Sequence, residues 1–254
     1  MKIKRLILFS CLWLSWQSAF AQNLKQVINR EQVWTAYFNQ TRFTNKLGFW
    51  FDGHLRRTDN FLGKWSTGIA RFGLTYYVSD HIKLTAGYAY INHFPSDGHK
   101  NISQPEHRPW QQVQWHTNSK RMKIMQWFRS EQRFRQKIKS DDELAEGYNF
   151  NYRFRYNFSL AVALGKRNFE PQSLSFIFSN ELHINLGKEI TYNTFDQNRL
   201  FLGLGYQISP NAQLQLGYMN VFQQLSSGNK YYNNHTIRAF VFHTLDLRKK
   251  NKQI

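Results

Sequence analysis

The chain contains almost no cysteine. Among its 254 residues there is one, Cys11, close to the N-terminus. An exported chain without a second cysteine forms no internal disulfide, so its fold must be stable through its own packing. The rest of the chain also lacks the residues for a cysteine-based zinc site or a cysteine nucleophile.

Long apolar runs are missing too. No stretch approaches the roughly 20 consecutive apolar residues of a membrane-spanning helix, and the mean hydropathy is negative. Aromatic residues nevertheless make up 17% of the chain. A β-barrel reconciles these observations, because it presents only every second residue to lipid and therefore has an average polarity close to that of a soluble protein.

The N-terminus has the pattern of a cleavable export signal. A basic start precedes an apolar stretch at residues 6–16, and a small-x-small cleavage pattern ends at Ala21. This predicts a signal peptide at residues 1–21 and a single barrel domain at residues 22–254. Processing as a lipoprotein at Cys11 is the alternative.

Acidic residues are few relative to basic ones. The chain has 34 Lys and Arg against 16 Asp and Glu, a net charge of +18. Such basicity often indicates nucleic acid, but for an exported chain anionic lipid phosphates are the better candidate. The predicted partners are outer-membrane lipid and lipopolysaccharide, with no nucleic acid, no indicated protein partner and a monomer favoured. A solvated basic surface is the alternative.

Residues 148–158 alternate strictly between aromatic side chains and Asn or Arg. Because successive side chains of a strand point to opposite faces, this run predicts one aromatic and one polar face. A helix would spread both sets around its circumference. Comparable runs recur, and most are longer than typical soluble strands. The predicted strands are residues 33–43, 49–57, 68–78, 82–94, 109–117, 122–138, 148–158, 174–186, 198–208, 212–222 and 234–247.

The links between these runs alternate between short and long, as in outer-membrane barrels whose short turns face the periplasm. The short links are residues 44–48, 79–81, 118–121 and 209–211, and the long ones are 58–64, 95–108, 139–147, 187–197 and 224–233. Bacterial barrels close with an even number of strands, so a further strand is expected, with residues 23–31 as the best candidate. The predicted fold is an all-β, antiparallel up-and-down transmembrane barrel of about 12 strands, with 10 as the alternative.

If the aromatic faces contact lipid, the polar faces line the lumen. Charges enclosed there need partners, because an unpaired buried charge costs several kcal/mol. We expect a ladder of arginines with two glutamates among them. The ladder either plugs and stiffens the barrel or forms an anion-selective passage or a binding pocket. The predicted lumen network is Arg129, Glu131, Arg133, Arg153, Arg155, Glu181 and Arg199.

The longest predicted loop ends in Glu106, His107, Arg108 and Trp110. We interpret these residues as a loop anchor, with Arg108 pairing into the lumen and Trp110 in the aromatic girdle. A Glu–His pair for acid–base chemistry is the alternative. No catalytic residue, cofactor site or metal site is predicted, because known nucleophile, phosphate-loop and metal-ligand spacings are missing from the sequence.

Several short motifs occur in an order that resembles an uncharacterised family. They are Val33-Trp34, Glu106-His107-Arg108-Pro109-Trp110-Gln111-Gln112, Arg129-x-Glu131-x-Arg133, Ser179-Asn180-Glu181 and Asp196-Gln197-Asn198-Arg199. In this order they resemble the family catalogued as domain of unknown function 2490, over nearly the whole mature chain. The resemblance implies an outer-membrane barrel and implies no activity or ligand.

Three functions are compatible with these patterns. The favoured one is a non-enzymatic outer-membrane barrel of a Gram-negative bacterium: a plugged structural or binding barrel, or a narrow anion-preferring pore. The second is a barrel enzyme acting on lipid or lipopolysaccharide through His93, Ser103, Glu106 and His107. The third is a soluble periplasmic barrel with the two faces reversed.

Overall fold

The computed structural model describes residues 25–96 and 99–248, and they form eleven strands. The predicted signal peptide at residues 1–21 lies outside the described residues. In the described ranges, no helix has both the length and the apolar character needed to traverse a lipid bilayer. The strands are β1 Gln26–Arg42, β2 Leu47–Thr58, β3 Lys64–Tyr77, β4 Ile82–His93, β5 Gln104–Asn118, β6 Met122–Ile138, β7 Leu144–Leu164, β8 Leu174–Leu186, β9 Phe195–Ser209, β10 Ala212–Gln224 and β11 Lys230–Asp246.

The strands close into one barrel in which each pairs with its neighbours in sequence, and β1 pairs with β11. All neighbouring pairs are antiparallel except β1–β11, which is parallel from Gln26↔Lys230 to Arg42↔Asp246. A meander with an odd number of strands ends in the direction in which it began, so its closing pair must be parallel. The up-and-down barrel is confirmed, with eleven strands in the described residues.

The expected extra strand at residues 23–31 is not a separate element. Its described part belongs to β1, which begins at Gln26 and continues without a break to Arg42. The prediction of 12 strands rested on even-numbered closure, and the parallel pairing of β1 with β11 removes that requirement.

The two faces of the sheet have opposite chemistry. Leu74 is 72% exposed and Leu202 43% exposed on the outer face, whereas Arg153 and Arg155 are 5% and 6% exposed on the inner face. The predicted orientation of the alternating runs is confirmed, because aromatic and aliphatic side chains point out of the barrel and charged ones point in.

The links between strands are short at one end of the barrel and longer at the other, mostly as predicted. Residues 43–46, 78–81, 119–121 and 210–211 form tight turns at one end, where Arg42 donates a 2.6 Å hydrogen bond to Asp80. That hydrogen bond from Arg42 holds the pKa of the Asp80 carboxyl below its ordinary value. Residues 165–173 are an exception, because this longer link lies at the same end as the tight turns.

Pairs of glycines let large rings pack inside the barrel. Gly73 lies opposite Gly87 on β3 and β4, and Gly203 lies opposite Gly217 on β9 and β10. A Cβ on Gly203 would come within 2.4 Å of the Phe201 ring, and one on Gly217 within 2.4 Å of the Gly203 Cα atom. The Phe201 ring therefore occupies the space that a side chain at Gly203, two residues along the same strand, would need.

Candidate functional site: the charged lumen

The first centre of the lumen is Glu131 on β6, which is fully buried. Arg153, directly opposite on β7, donates to Oε2 from Nη2 at 2.6 Å and from Nε at 2.9 Å. Arg155 donates to Oε1 at 2.6 Å, and Arg108 lies 3.4 Å away from the carboxylate. Every second residue of β6 and β7 faces inward, so the alternation in the sequence itself brings these charges together.

A second centre joins the first through the same arginines. Arg155 also donates from Nε to Glu181 at 2.6 Å, and Arg153 donates from Nη1 to Asp196 at 3.2 Å. Arg199 approaches the other oxygen of Glu181 at 3.5 Å. The carboxylates of three strands are thereby bridged by two neighbouring arginines of β7.

A third centre is Glu106 on β5, which is also fully buried. Its carboxylate accepts hydrogen bonds from Arg108 at 2.6 Å, Arg133 at 2.7 Å and Arg135 at 3.1 Å. His93 lies 3.0 Å from Oε2. The predicted ladder with Glu131 and Glu181 among arginines is present, and Glu106 extends it.

A fourth centre was not predicted as a site. Asp52 on β2 is fully buried, accepts a 2.5 Å hydrogen bond from the Trp50 indole and lies 2.7 Å from His54. Arg71 of β3, directly opposite Asp52, lies 3.3 Å away. The signal was present in the sequence, because Trp50, Asp52 and His54 share the polar face of a predicted strand.

Arginines outnumber carboxylates in this interior. The buried carboxylates are Asp52, Glu106, Glu131, Glu181 and Asp196, and the buried arginines are Arg71, Arg108, Arg129, Arg133, Arg153, Arg155 and Arg238. Arg56 and Arg199 line the same lumen. Among the described residues, neither Arg56 nor Arg238 has a carboxylate within 4.0 Å. The lumen therefore carries an excess of positive charge.

One cavity of about 2120 Å³ follows the lumen. Asn60 and Lys64 line it at the long-loop end, and Asn118 and Asn211 line it at the tight-turn end. Between them its wall includes Arg129, Arg153, Arg155, Glu181 and Arg199. Residues of the charged network thus line this cavity between its two ends.

A family model described as a protein of unknown function, DUF2490, matches residues 31–232, which is most of the chain. The chain belongs to the DUF2490 family. No curated protein matches it. A solved structure of the NanC porin in a rhombohedral crystal form is similar at a TM-score of 0.48 and 13% identity, covering 84% of this chain and 99% of that one.

The predicted loop anchor of the DUF2490 chain requires correction. Glu106, His107, Arg108 and Trp110 lie within β5, which begins at Gln104, and not in a loop. Trp110 is fully buried in the lumen, with its ring 6.1 Å from Trp50, and does not belong to an aromatic girdle. Pairing with β4 extends the strand through Pro105, where the sequence alone indicates a break.

The residues proposed for lipid chemistry are not assembled in this DUF2490 barrel. Glu106 faces the lumen, whereas His107 faces outward, hydrogen-bonded to the Tyr88 phenol and packed against Tyr90 and Tyr148. His93 lies 3.0 Å from Glu106, and Ser103 immediately precedes β5. Within the described part of the chain, no group of His, Cys, Asp and Glu is arranged to hold a metal ion.

Proposed function

We propose that this DUF2490 protein is a non-enzymatic barrel of the Gram-negative outer membrane whose lumen gives small anions a narrow passage. The apolar outer face supports the membrane assignment, with Leu216 53% and Leu55 50% exposed. The shortest strands have 12 residues, which is enough to cross the hydrocarbon layer. This outer face would contact lipid, and lipopolysaccharide where the long loops emerge.

The tight turns would face the periplasm and the longer loops the outside, as in other outer-membrane barrels. Cell fractionation tests this part of the proposal. We expect the protein in the outer-membrane fraction, soluble only with detergent. Release into a detergent-free periplasmic extract would instead support the soluble barrel with reversed faces.

The proposal that anions pass through the lumen rests on its excess of arginines. Rings of Arg or Lys select anions in pores, because they lower the energy of an anion and raise that of a cation inside the low-dielectric interior. The cavity that extends from Lys64 to Asn211 provides the path. The ion-paired centres around Glu131 and Glu106 would keep the arginines in place as ions pass.

Single-channel recording tests the passage. Folded protein extracted from the outer membrane is added to planar bilayers that separate high from low KCl, with heat-unfolded protein as the control. We expect discrete conductance steps and a reversal potential displaced toward the chloride equilibrium potential. The absence of conductance steps from folded protein would contradict the passage and favour a plugged structural or binding barrel. Potassium-selective steps would contradict the anion preference.

A further inference from the structure

The two walls of the lumen differ in chemistry. The ion-paired centres at Glu106 and Glu131 lie on β5 and β6, with their arginine partners on β5, β6 and β7. The wall formed by β1 and β9–β11 holds an apolar cluster with Trp34, Phe201, Met219 and Phe240, packed against Phe38. A molecule next to the wall of β1 and β9–β11 would therefore meet aromatic rings as well as charge.

Trp34 lies between two arginines in the wall formed by β1 and β9–β11, which we call the aromatic wall. On β1 it lies opposite Arg56 of β2 and opposite Arg238 of β11. The Arg56 guanidinium carbon is 3.6 Å from the centroid of the Trp34 ring, and that of Arg199 is 4.9 Å from it. Arg238 lies 3.6 Å from the Phe201 centroid. Three guanidinium groups are thus laid against aromatic faces.

Two of these guanidinium groups, those of Arg56 and Arg238, retain unused hydrogen-bonding capacity, whereas Arg199 donates to Gln197 and Glu181. Within the described part of the chain, the buried Nε atoms of Arg56 and Arg238 have no hydrogen-bond partner. Arg238 is 8% exposed and donates one hydrogen bond, from Nη2 to Gln215 at 2.6 Å. A guanidinium stacked on a ring keeps its in-plane N–H groups free for an anion.

The positive charge around Arg56 also favours a bound anion. Arg56 lines the same cavity as Arg108, Arg153, Arg155 and Arg199, all of the same sign. Buried like charges are costly unless a counter-ion compensates them. A carboxylate fits this need well, because its two oxygens match the planar fork of a guanidinium.

We propose that Arg56, Arg199 and Arg238, laid on Trp34 and Phe201, form a binding site for an organic carboxylate with a flat apolar body. The carboxylate would bind the free guanidinium N–H groups. The apolar body would lie against the wall that Phe38 continues, where Phe38 and Phe242 stack at 4.7 Å. An inorganic anion could use the charge of this site but not its aromatic surface. The site rests on the proposed function in that the ligand enters through the lumen.

Binding of three small probes tests the ligand class. Benzoate has both the ring and the carboxylate, acetate has the carboxylate alone, and benzyl alcohol has the ring alone. With folded full-length protein in detergent, titration calorimetry is expected to give benzoate an affinity at least tenfold above either control. Equal affinity of benzoate and acetate would reduce the site to a general anion site and overturn the proposal.

Matched variants test whether benzoate binds at Arg56 and Arg238. Arg56→Gln and Arg238→Gln are each expected to weaken benzoate binding about tenfold, which is the effect of losing one charge-assisted hydrogen bond. Arg57→Gln is the control, because Arg57 is the next residue of β2, points to the other face of the strand and does not line the cavity. Heat-modifiable electrophoretic migration verifies folding of each variant. Unchanged benzoate binding in both lumen variants would overturn the proposal.

The test of the carboxylate site and the test of the anion passage can give different results. Calorimetry in detergent needs no ion current, so a silent barrel that binds benzoate would contradict the passage and leave the site intact. A conducting, anion-selective barrel with no affinity for benzoate would contradict the site alone.

Discussion

Replacing Glu131 with glutamine is expected to lower the barrel's free energy of unfolding by about 3–5 kcal/mol. Glu131 is fully buried and receives short hydrogen bonds from Arg153 and Arg155, with Arg108 also within 4 Å. Removal of its charge leaves three arginines around a neutral side chain, each with only its second carboxylate, Asp196, Glu181 or Glu106. The loss exceeds the net contribution of an intact buried ion pair, because the desolvation of these arginines is no longer fully offset.

Urea unfolding of the purified barrel, followed by tryptophan fluorescence, measures this loss. Glu143→Gln is the control, because its side chain is 60% exposed and pairs with Lys139 across a hairpin link. The control is expected to change stability by less than about 1 kcal/mol. Equal stability of the two variants would contradict a structural role for the network around Glu131.

Reversing the charge of Arg56 and Arg238 together is expected to abolish the anion preference and shift the reversal potential toward the potassium equilibrium potential. Neither arginine has a carboxylate partner within 4.0 Å among the described residues, so their charge is available to passing ions. The double variant Arg56→Glu with Arg238→Glu replaces two positive charges of the lumen by negative ones. Charged rings at a narrow section control selectivity because ions pass close to them in a medium of low dielectric constant.

Arg57→Glu provides the matched control for this measurement. It makes the same chemical change one residue away in β2, at a side chain that points to the other face of the strand and does not line the cavity. We expect its reversal potential to equal that of the unmodified protein. If the double variant also kept the original reversal potential, the current would not pass these arginines, and the proposed path through the lumen would be wrong.

The strands and their faces could be predicted because alternation is a local property. In residues 148–158 each aromatic side chain points outward and each Arg or Asn points inward, and no knowledge of the partner strand is needed to see it. The ladder of Arg153, Arg155 and Glu131 follows directly, since the inner faces of adjacent strands must meet.

Other features could not be predicted because they depend on pairing. The start of β5 at Gln104 follows from its ladder with β4 and β6 and places Glu106 and Trp110 in the lumen. The parallel pairing of β1 with β11 is a property of the closed barrel as a whole. Asp52 could be assigned inward from its strand, but its partner Arg71 depends on the register of β2 with β3.

The direct test of the account compares two adjacent residues of β10. Leu216 is 53% exposed on the outside, whereas Gln215 lines the cavity. Cys11 precedes the predicted mature start, so Leu216→Cys and Gln215→Cys each give a single site for a nitroxide label in the barrel reconstituted in lipid vesicles. We expect the label at position 216 to collide mainly with oxygen dissolved in lipid, and the label at position 215 to collide mainly with a water-soluble nickel chelate. The reverse result would contradict a membrane barrel with a charged, water-filled interior.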